Sequence, residues 1–152
     1  MTAPLSGIRI IDFTRVLAGP HCTKALRDLG AEVIKIEPPD PDTGRSGQPH
    51  VGPMSLYFAQ QNAGKRAISI DLNFPEAQQI VKDLVETADI VVENFRPGTL
   101  DLFGLGFEDL STIKPNLIMV SISGYGQTGP WRNRPAFAPT VQAEAGFTEI
   151  IG

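Results

Sequence analysis

The chain has 152 residues, a length that suits about one globular domain. Hydrophobic residues make up 41% of the composition and charged residues 20%, which excludes a disordered chain. The net charge is −4 with scattered Lys and Arg, and no apolar run approaches the roughly 20 residues that span a membrane. We therefore expect neither a nucleic-acid partner nor a membrane partner.

The cysteine content and the N-terminus both favour a cytoplasmic protein. Cys22 is the single cysteine, so no internal disulfide can form, as is usual in a reducing compartment. The segment "MTAPLSGIRI" lacks the basic region and the long apolar core of a signal peptide. His21 and His50 are the two histidines, and they do not have metal-ligand spacing, so we predict no metal site.

Predicted strands and helices alternate along the chain. Short apolar or alternating runs predict five strands, at 7–13, 32–37, 66–72, 88–94 and 116–123. Apolar residues at helical spacing predict helices at 21–30, from about 75 to 85 and at 139–151, with two short helices around Gly104 and Gly106. Pro and Gly concentrate at 38–53 and 124–139, which are predicted to be long functional loops.

Local signals set the expected helix ends. Gly30 follows the first helix, where a left-handed residue commonly ends a helix. Asn73 and Glu76 have the spacing of a capping box, and Pro75 lies in the first turn, where proline is tolerated. Ala138 is expected at the N-cap of the last helix, with Pro139 at its first position.

This alternation predicts an α/β fold: an open, mostly parallel, Rossmann-like sheet with helices on both faces. Ligands of such sheets bind beyond the carboxyl ends of the strands. The probable site is therefore formed by the segments that follow the first, fourth and fifth strands: "TRVLAGP", "NFRPG" and "SGYGQTGP".

Two of these segments suggest chemistry from their residues alone. "GYGQTG" matches a dinucleotide-binding glycine pattern, but a loop rather than a helix follows it, which argues against NAD. Arg96 beside Asn94 suits phosphate or amide recognition, although an ion pair with Glu93 or Asp101 would explain it equally well. Lys65, just before a strand, is by itself more typical of a solvated face.

Seven segments in this order closely resemble the N-terminal part of the class III CoA-transferase family, which includes formyl-CoA transferase, carnitine CoA-transferase and α-methylacyl-CoA racemase. The segments are "PLSGIRIIDFTRVLAGP", "DLGAEVIKIEPP", "NAGKRAISIDL", "ADIVVENFRPG", "LGLGFEDL", "PNLIMVSISGYGQTGP" and "VQAEAG".

The resemblance implies an open α/β domain that binds coenzyme A (CoA) and subunits that interlock in pairs. Residues 1–152 would be the N-terminal portion of this domain, with the remainder of the family chain absent. The substrates would be an acyl-CoA and a carboxylic acid, with no permanently bound cofactor. The partner would be a second family chain, in a homo- or hetero-oligomer.

The resemblance also implies a set of CoA-binding residues. One part of the set lies on the turn that meets the CoA chain, and another packs on CoA after the fourth strand. Leu72 matches a position that contacts the nucleotide, and Lys65 matches a basic residue near the CoA phosphates. The full set is Val16, Leu17, Ala18, Lys65, Leu72, Asn94, Phe95 and Arg96. Two departures weaken the nucleotide site, because Pro38 and Leu102 stand where relatives often carry Arg.

The resemblance further implies that the reactive groups are missing. Ala138 stands at the position of the nucleophilic Asp of the transferases, and Phe137 stands at the position of the catalytic His of the racemases. A methyl group cannot attack a thioester or accept a proton. We therefore expect no catalytic residue in this chain and a silenced site.

Three hypotheses stay open. The chain is a CoA-transferase subunit that depends on a homologous subunit carrying the Asp, or it is an enzyme that uses another group. Glu144 is the nearest carboxylate for that second hypothesis, and an acyl-CoA racemase-like enzyme is an alternative beside it. The third is a CoA-binding or assembly module without turnover.

Overall fold

The computed structural model describes residues 2–151 and contains one five-stranded sheet and one two-stranded hairpin. The main sheet is formed by β1, β2, β5, β6 and β7, and the hairpin by β3 and β4. Their bounds are β1 Arg9–Asp12, β2 Glu32–Glu37, β3 His50–Val51, β4 Met54–Ser55, β5 Arg66–Ser69, β6 Ile90–Glu93 and β7 Ile118–Ser121.

Residues 2–151 also contain six α-helices and two 3₁₀ turns, and the last two helices follow the final strand. None of the helices within residues 2–151 combines the length and the apolar character needed to cross a bilayer. The 3₁₀ turns are Thr43–Ser46 and Asp101–Phe103, and the helices are α1 Ala18–Asp28, α2 Leu56–Asn62, α3 Pro75–Glu86, α4 Phe107–Ile113, α5 Ala138–Glu144 and α6 Phe147–Ile151.

The main sheet has the order β5-β2-β1-β6-β7, and all its strand pairs are parallel. Ile11 in the central strand β1 pairs with Ile34 on one side and Val91 on the other. Helices cover both faces, because α3 and α4 pack on one side and α1 on the other. The predicted open parallel α/β fold is therefore confirmed.

Burial of the sheet follows from its amphipathic helices. Ala77, Val81 and Val85 of α3 are buried at a spacing of four residues and cover the sheet face that includes Ile11. Val81 and Val85 each contribute about 1.5–3 kcal/mol of stability through burial. On the other face, Leu26 of α1 packs against residues of β1 and β2.

The predicted capping box of α3 is wrong. Its N-cap is Phe74, without a side-chain cap, and Pro75 occupies the first helical position. Asn73 donates through its side-chain amide to Asp71 instead, within the preceding turn. The short Asn side chain is thus used by the turn and is not available to the helix.

The last predicted helix is two helices. Gly146 separates α5 from α6 and has a φ of 72°, a left-handed conformation that ends a helix readily at glycine. Ala138 is the first residue of α5 and not its N-cap, which is Phe137. The pattern also missed α2 and the β3–β4 hairpin, which lie in or next to the proline-rich loop.

Candidate functional site

Three loops converge at the carboxyl edge of the sheet. They are residues 13–17 after β1, 94–98 after β6 and 122–129 after β7. Strands β1, β6 and β7 are consecutive neighbours in the sheet, so their ends lie side by side. This arrangement agrees with the site expected from the parallel topology.

Asn94 fastens the first of these loops to the second. Its Oδ1 accepts from the backbone N–H of Arg15, and its Nδ2 donates to the backbone carbonyl of the same residue, each at 2.8 Å. A side-chain amide that satisfies both groups of one peptide position fixes that position firmly. Asn94 therefore sets the spacing between the ends of β1 and β6.

Val16 adopts a strained backbone in the same loop. It is the one non-glycine residue in the described chain with a positive φ, at 66°. A β-branched residue tolerates this region poorly, at a cost of about 1–3 kcal/mol. The surroundings hold it there: its N–H donates to Oδ1 of Asp42 at 3.0 Å, and its carbonyl accepts from Tyr57 at 3.3 Å.

A buried group of charges supports this turn. Lys35 and Asp42 form an ion pair of 3.2 Å with both side chains about 1% exposed, and Lys35 also donates to the carbonyl of Thr14. Glu37 accepts from the N–H of Asp42 and pairs with Arg45. Burial alone would raise the pKa of Glu37, but the hydrogen bonds from Arg45 and Asp42 outweigh it and hold that pKa below its ordinary value.

The structure places Lys65 inside the protein. Its ammonium pairs with Asp12 at 3.0 Å and also lies within hydrogen-bond distance of Pro20, Thr23 and Asn62, with 2% of the side chain exposed. Burial lowers the pKa of Lys65, and the Asp12 carboxylate opposes this effect. Its three N–H donors are engaged, so Lys65 has no free donor for a phosphate. The Lys65 side chain links α1 to β1 and to α2.

The main cleft lies between the three loops and α5 and has a volume of about 500 Å³. Five of the residues that the family resemblance assigns to CoA or to the lost catalytic group line it: Ala18, Asn94, Phe95, Arg96 and Ala138. Phe137, which stands at the racemase histidine position, also lines it and is 70% exposed. The structure thus brings these separated positions together.

A second cavity, the side cleft, has a volume of about 300 Å³ and lies beside the first. Phe95 borders both clefts, and Leu72 and Pro38 border the side cleft alone. Val16 and Leu17 border neither cleft and are about half exposed, at 46% and 50%, on the turn that precedes α1.

The loop of residues 122–129 after β7, here called the glycine loop, is shaped by close packing. A Cβ atom on Gly124 would lie 1.9 Å from the Cβ of Ala136, so only glycine allows this approach. The chain from 124 to 137 contains turns and no helix, and α5 begins at Ala138. A helix N-terminus facing a pyrophosphate, which a dinucleotide fingerprint requires, is absent from this segment.

Arg96 lines the main cleft and is exposed to solvent. Among residues 2–151 it forms no ion pair, so the alternative of a pair with Glu93 or Asp101 is not what the structure contains. Glu93 instead accepts from the N–H of Phe95 at 2.7 Å, and burial raises the pKa of its carboxyl. Arg96 is thus available to an anionic ligand.

Glu144 ties the glycine loop to α5. One of its oxygens accepts from Tyr125 and the other pairs with Arg134. The Arg134 guanidinium also lies 5.0 Å from the centre of the Trp131 ring. Both oxygens of Glu144 are engaged, and the residue does not line the main cleft.

Sequence reasoning missed the charges that support the site. Arg15 lines the side cleft. The family resemblance had assigned only the three residues after it, Val16, Leu17 and Ala18, to CoA. Lys35 offered a usable signal, because a lysine within the apolar strand "EVIKIE" must be buried with a partner. The partner Asp42 lies in an irregular loop, and no periodicity could identify it.

An open parallel sheet with a cleft at the carboxyl ends of adjacent strands is the arrangement in which α/β domains commonly bind their ligands. The family model described as CoA-transferase family III matches residues 5–152, so the chain belongs to CoA-transferase family III. The resemblance noted in the sequence is thereby confirmed.

Individual relatives agree with this assignment. The human succinyl-CoA:glutarate CoA-transferase is 45% identical over 98% of this chain and 34% of its own length. The beta subunit of succinyl-CoA–L-malate CoA-transferase from Chloroflexus aurantiacus is 42% identical over 99% of this chain and 38% of its own length. The crystal structure of a CAIB/BAIF family protein from Brucella suis matches with a TM-score of 0.90 and 40% identity, over 96% of this chain and 40% of that one. The chain thus spans between a third and two fifths of these relatives.

Proposed function

We propose that the chain is the CoA-binding portion of a class III CoA-transferase that moves CoA between carboxylic acids, and that its own active site is silenced. The main observation behind this proposal is the lining of the main cleft, where Ala18, Asn94, Phe95 and Arg96 surround Ala138. The loops that would hold a thioester are present around a methyl group that cannot react with it.

The lining of the main cleft supports a silent site. Among the described residues that border it there is no Asp, Glu, Cys or His. Ser123 is the one hydroxyl, and no histidine or carboxylate in the described chain contacts it to serve as a base. Nucleophilic catalysis needs an ionised or activated group, and none is available here.

The second hypothesis, an enzyme that uses Glu144, loses support. Tyr125 and Arg134 engage both carboxylate oxygens, and such charge-assisted bonds stabilise the carboxylate and lower its reactivity. The racemase-like alternative loses support as well, because Phe137 offers no proton acceptor.

A homologous subunit that carries the Asp would then supply the chemistry, in a homologous hetero-oligomer in the cytoplasm. The beta-subunit name of one relative supports an assembly of this kind. A CoA-binding or assembly module without turnover is the second candidate, and the lack of a reactive side chain in the main cleft favours it equally. Co-expression with a homologue that carries the Asp separates the two. A stable heteromer with transferase activity supports the first, and a heteromer without activity supports the second.

The silenced site is tested by Ala138→Asp. In this variant a carboxylate oxygen attacks the thioester carbonyl, the C–S bond breaks, CoA leaves as its thiolate, and the acyl group stays on the protein as a mixed anhydride. Hydroxylamine converts the anhydride to a hydroxamate that mass spectrometry locates on the protein. Ala138→Asn is the matched control, since it has the same shape and no nucleophile.

We expect acyl-CoA with hydroxylamine to label Ala138→Asp and to leave both the unmodified protein and Ala138→Asn unlabelled. Transferase turnover by the unmodified protein, purified free of homologues, would overturn the silenced site. Binding of CoA is measured separately by calorimetry, where Arg96→Ala is expected to weaken it by about tenfold, as for a lost charged hydrogen bond. A protein that does not bind CoA would refute the proposed function as a whole.

A further inference from the structure

Among the described residues that line the side cleft, Arg15 is the one with a basic side chain. Its guanidinium lies 5.7 Å from the centre of the Phe95 ring, which borders the same cleft. Within residues 2–151 it forms no ion pair, and the residue is half-buried. A half-buried cation without a protein counter-ion is a natural receptor for an anionic ligand.

Hydrogen bonds hold the backbone at Arg15 and at the residues before and after it. Asn94 binds both its N–H and its carbonyl at 2.8 Å. The preceding residue, Thr14, donates twice to the buried Asp12, and the N–H of the following residue, Val16, donates to Asp42. The main chain from which the Arg15 side chain extends is therefore fixed before a ligand binds, and this lowers the entropy cost of binding.

The rest of the side cleft suits a flat apolar group attached to an anion. Its remaining walls are largely apolar, and about 300 Å³ lies at the lower end of the usual range for small-molecule sites. The carboxylate of Asp71 lies on the same rim and accepts twice from Asn73. A phosphate is thus favoured near Arg15 and disfavoured near Asp71. The apolar walls are Ile36, Ile70, Leu72, Phe95, Leu100 and Phe103.

We propose that Arg15 binds a phosphate of the coenzyme at the mouth of the side cleft. This inference rests on the proposed function and adds the charged residue that the nucleotide end needs. Pro38 borders the same cleft and carries no charge, so among the described lining residues Arg15 alone is able to neutralise a phosphate. The phosphate belongs either to the pyrophosphate bridge or to the ribose 3′-position, and the two share the same chemistry.

Calorimetric titrations of the purified protein with CoA, 3′-dephospho-CoA and pantetheine test the proposal. Arg15→Ala is expected to weaken CoA binding by about tenfold or more, as for a lost charged hydrogen bond. Pantetheine has no phosphate, so its binding is expected to stay unchanged. If Arg15→Ala weakens dephospho-CoA as much as CoA, the pyrophosphate is the partner; if dephospho-CoA is insensitive, the 3′-phosphate is.

Two further variants make the result specific. Arg66→Ala is the control, because Arg66 is an exposed arginine paired with Glu32 at the opposite end of the strands, and it is expected to leave all three affinities unchanged. Arg15→Lys keeps the charge without the forked donors and is expected to recover part of the lost affinity. The Asn94 bonds involve only the main chain of residue 15, so both substitutions at this position retain the loop.

The outcomes separate this inference from the proposed function. If the unmodified protein binds CoA and Arg15→Ala binds it equally well, the role of Arg15 is overturned and the proposed function stands. An equal loss of pantetheine and CoA affinity would also overturn it, since that pattern reports a damaged cleft. If the unmodified protein binds no CoA, both the role of Arg15 and the proposed function are refuted.

Discussion

The backbone N–H of Val16 donates to the buried carboxylate of Asp42 across 3.0 Å, and this contact holds a β-branched residue in the left-handed region. Asp42 in turn pairs with Lys35, which lies on β2. The loop after β2 thus determines the shape of the loop after β1. The turn that leads into α1 is held by the carboxylate of Asp42, which lies 26 residues from Val16 in the chain.

Removing the Asp42 carboxylate is expected to destabilise the protein strongly. Asp42→Ala leaves Lys35 buried without a counter-ion, and breaking a buried pair in this way costs about 3–5 kcal/mol. Urea unfolding measures the loss. Asp40→Ala, which removes an exposed carboxylate from the same loop, is the control and is expected to change little. Equal stability of the two variants would contradict the role of Asp42.

The strain at Val16 is tested by comparing two substitutions. Val16→Gly and Val16→Ala both remove the half-exposed isopropyl group, but only glycine adopts a φ of 66° without a steric penalty. We expect the glycine variant to exceed the alanine variant in unfolding free energy by about 1 kcal/mol. If the alanine variant is the more stable of the two, the backbone at this position carries no strain.

Lys65 is expected to support stability. Lys65→Met leaves Asp12 buried and unpaired, at a cost of about 3–5 kcal/mol. Lys24→Met breaks the surface pair with Asp28 and is expected to cost about 0.2–1 kcal/mol. Thermal and urea unfolding of both variants check this difference. A Lys65→Met protein of normal stability that no longer binds CoA would instead favour direct contact with the phosphates.

The pH dependence of stability is expected to carry a signature of Glu93. Burial raises the pKa of its carboxyl above the ordinary value of 4.5, so the folded protein holds this proton more tightly than the unfolded chain. The stabilisation it contributes is complete below pH 4.5 and is lost as the pH rises through the folded pKa. Glu93→Gln keeps an acceptor for the N–H of Phe95 and does not titrate.

Unfolding free energies of the unmodified protein and Glu93→Gln, measured across this range, test the sign. We expect the variant to gain stability relative to the unmodified protein as the pH rises from 4.5. A difference that stays constant with pH, or that changes in the opposite direction, would show that burial does not shift this carboxyl as described.

The contact between Glu144 and Tyr125 has a spectroscopic readout. The hydrogen bond to the Glu144 carboxylate raises the pKa of the Tyr125 phenol. Glu144→Gln is expected to lower that pKa towards 10.0, which ultraviolet titration of the phenolate measures. A Tyr57→Phe background removes the other tyrosine of the chain. An unchanged titration would show that the glycine loop and α5 are not joined through this pair in solution.

The sequence by itself predicted the parallel sheet, because each strand is a short apolar run and the helices between them have regular apolar spacing. It also predicted that the segments after β1, β6 and β7 form one site, since parallel strands end at one edge. The family match positioned Ala138, Asn94, Phe95 and Arg96, which do line one cleft. These features depend on local pattern and topology, which a sequence carries directly.

Only the tertiary structure decided which charged residues are buried with a counter-ion and which line a cleft. From its residues alone Lys65 was more typical of a solvated face, and the family resemblance assigned it to the CoA phosphates; in the fold it is buried against Asp12, which lies 53 positions away in the chain. Arg15 was not singled out in its motif; in the fold it lines the side cleft, and among residues 2–151 it forms no ion pair. The free energy of a charge depends on its burial and counter-ion, and both are set by residues that meet only in the folded chain.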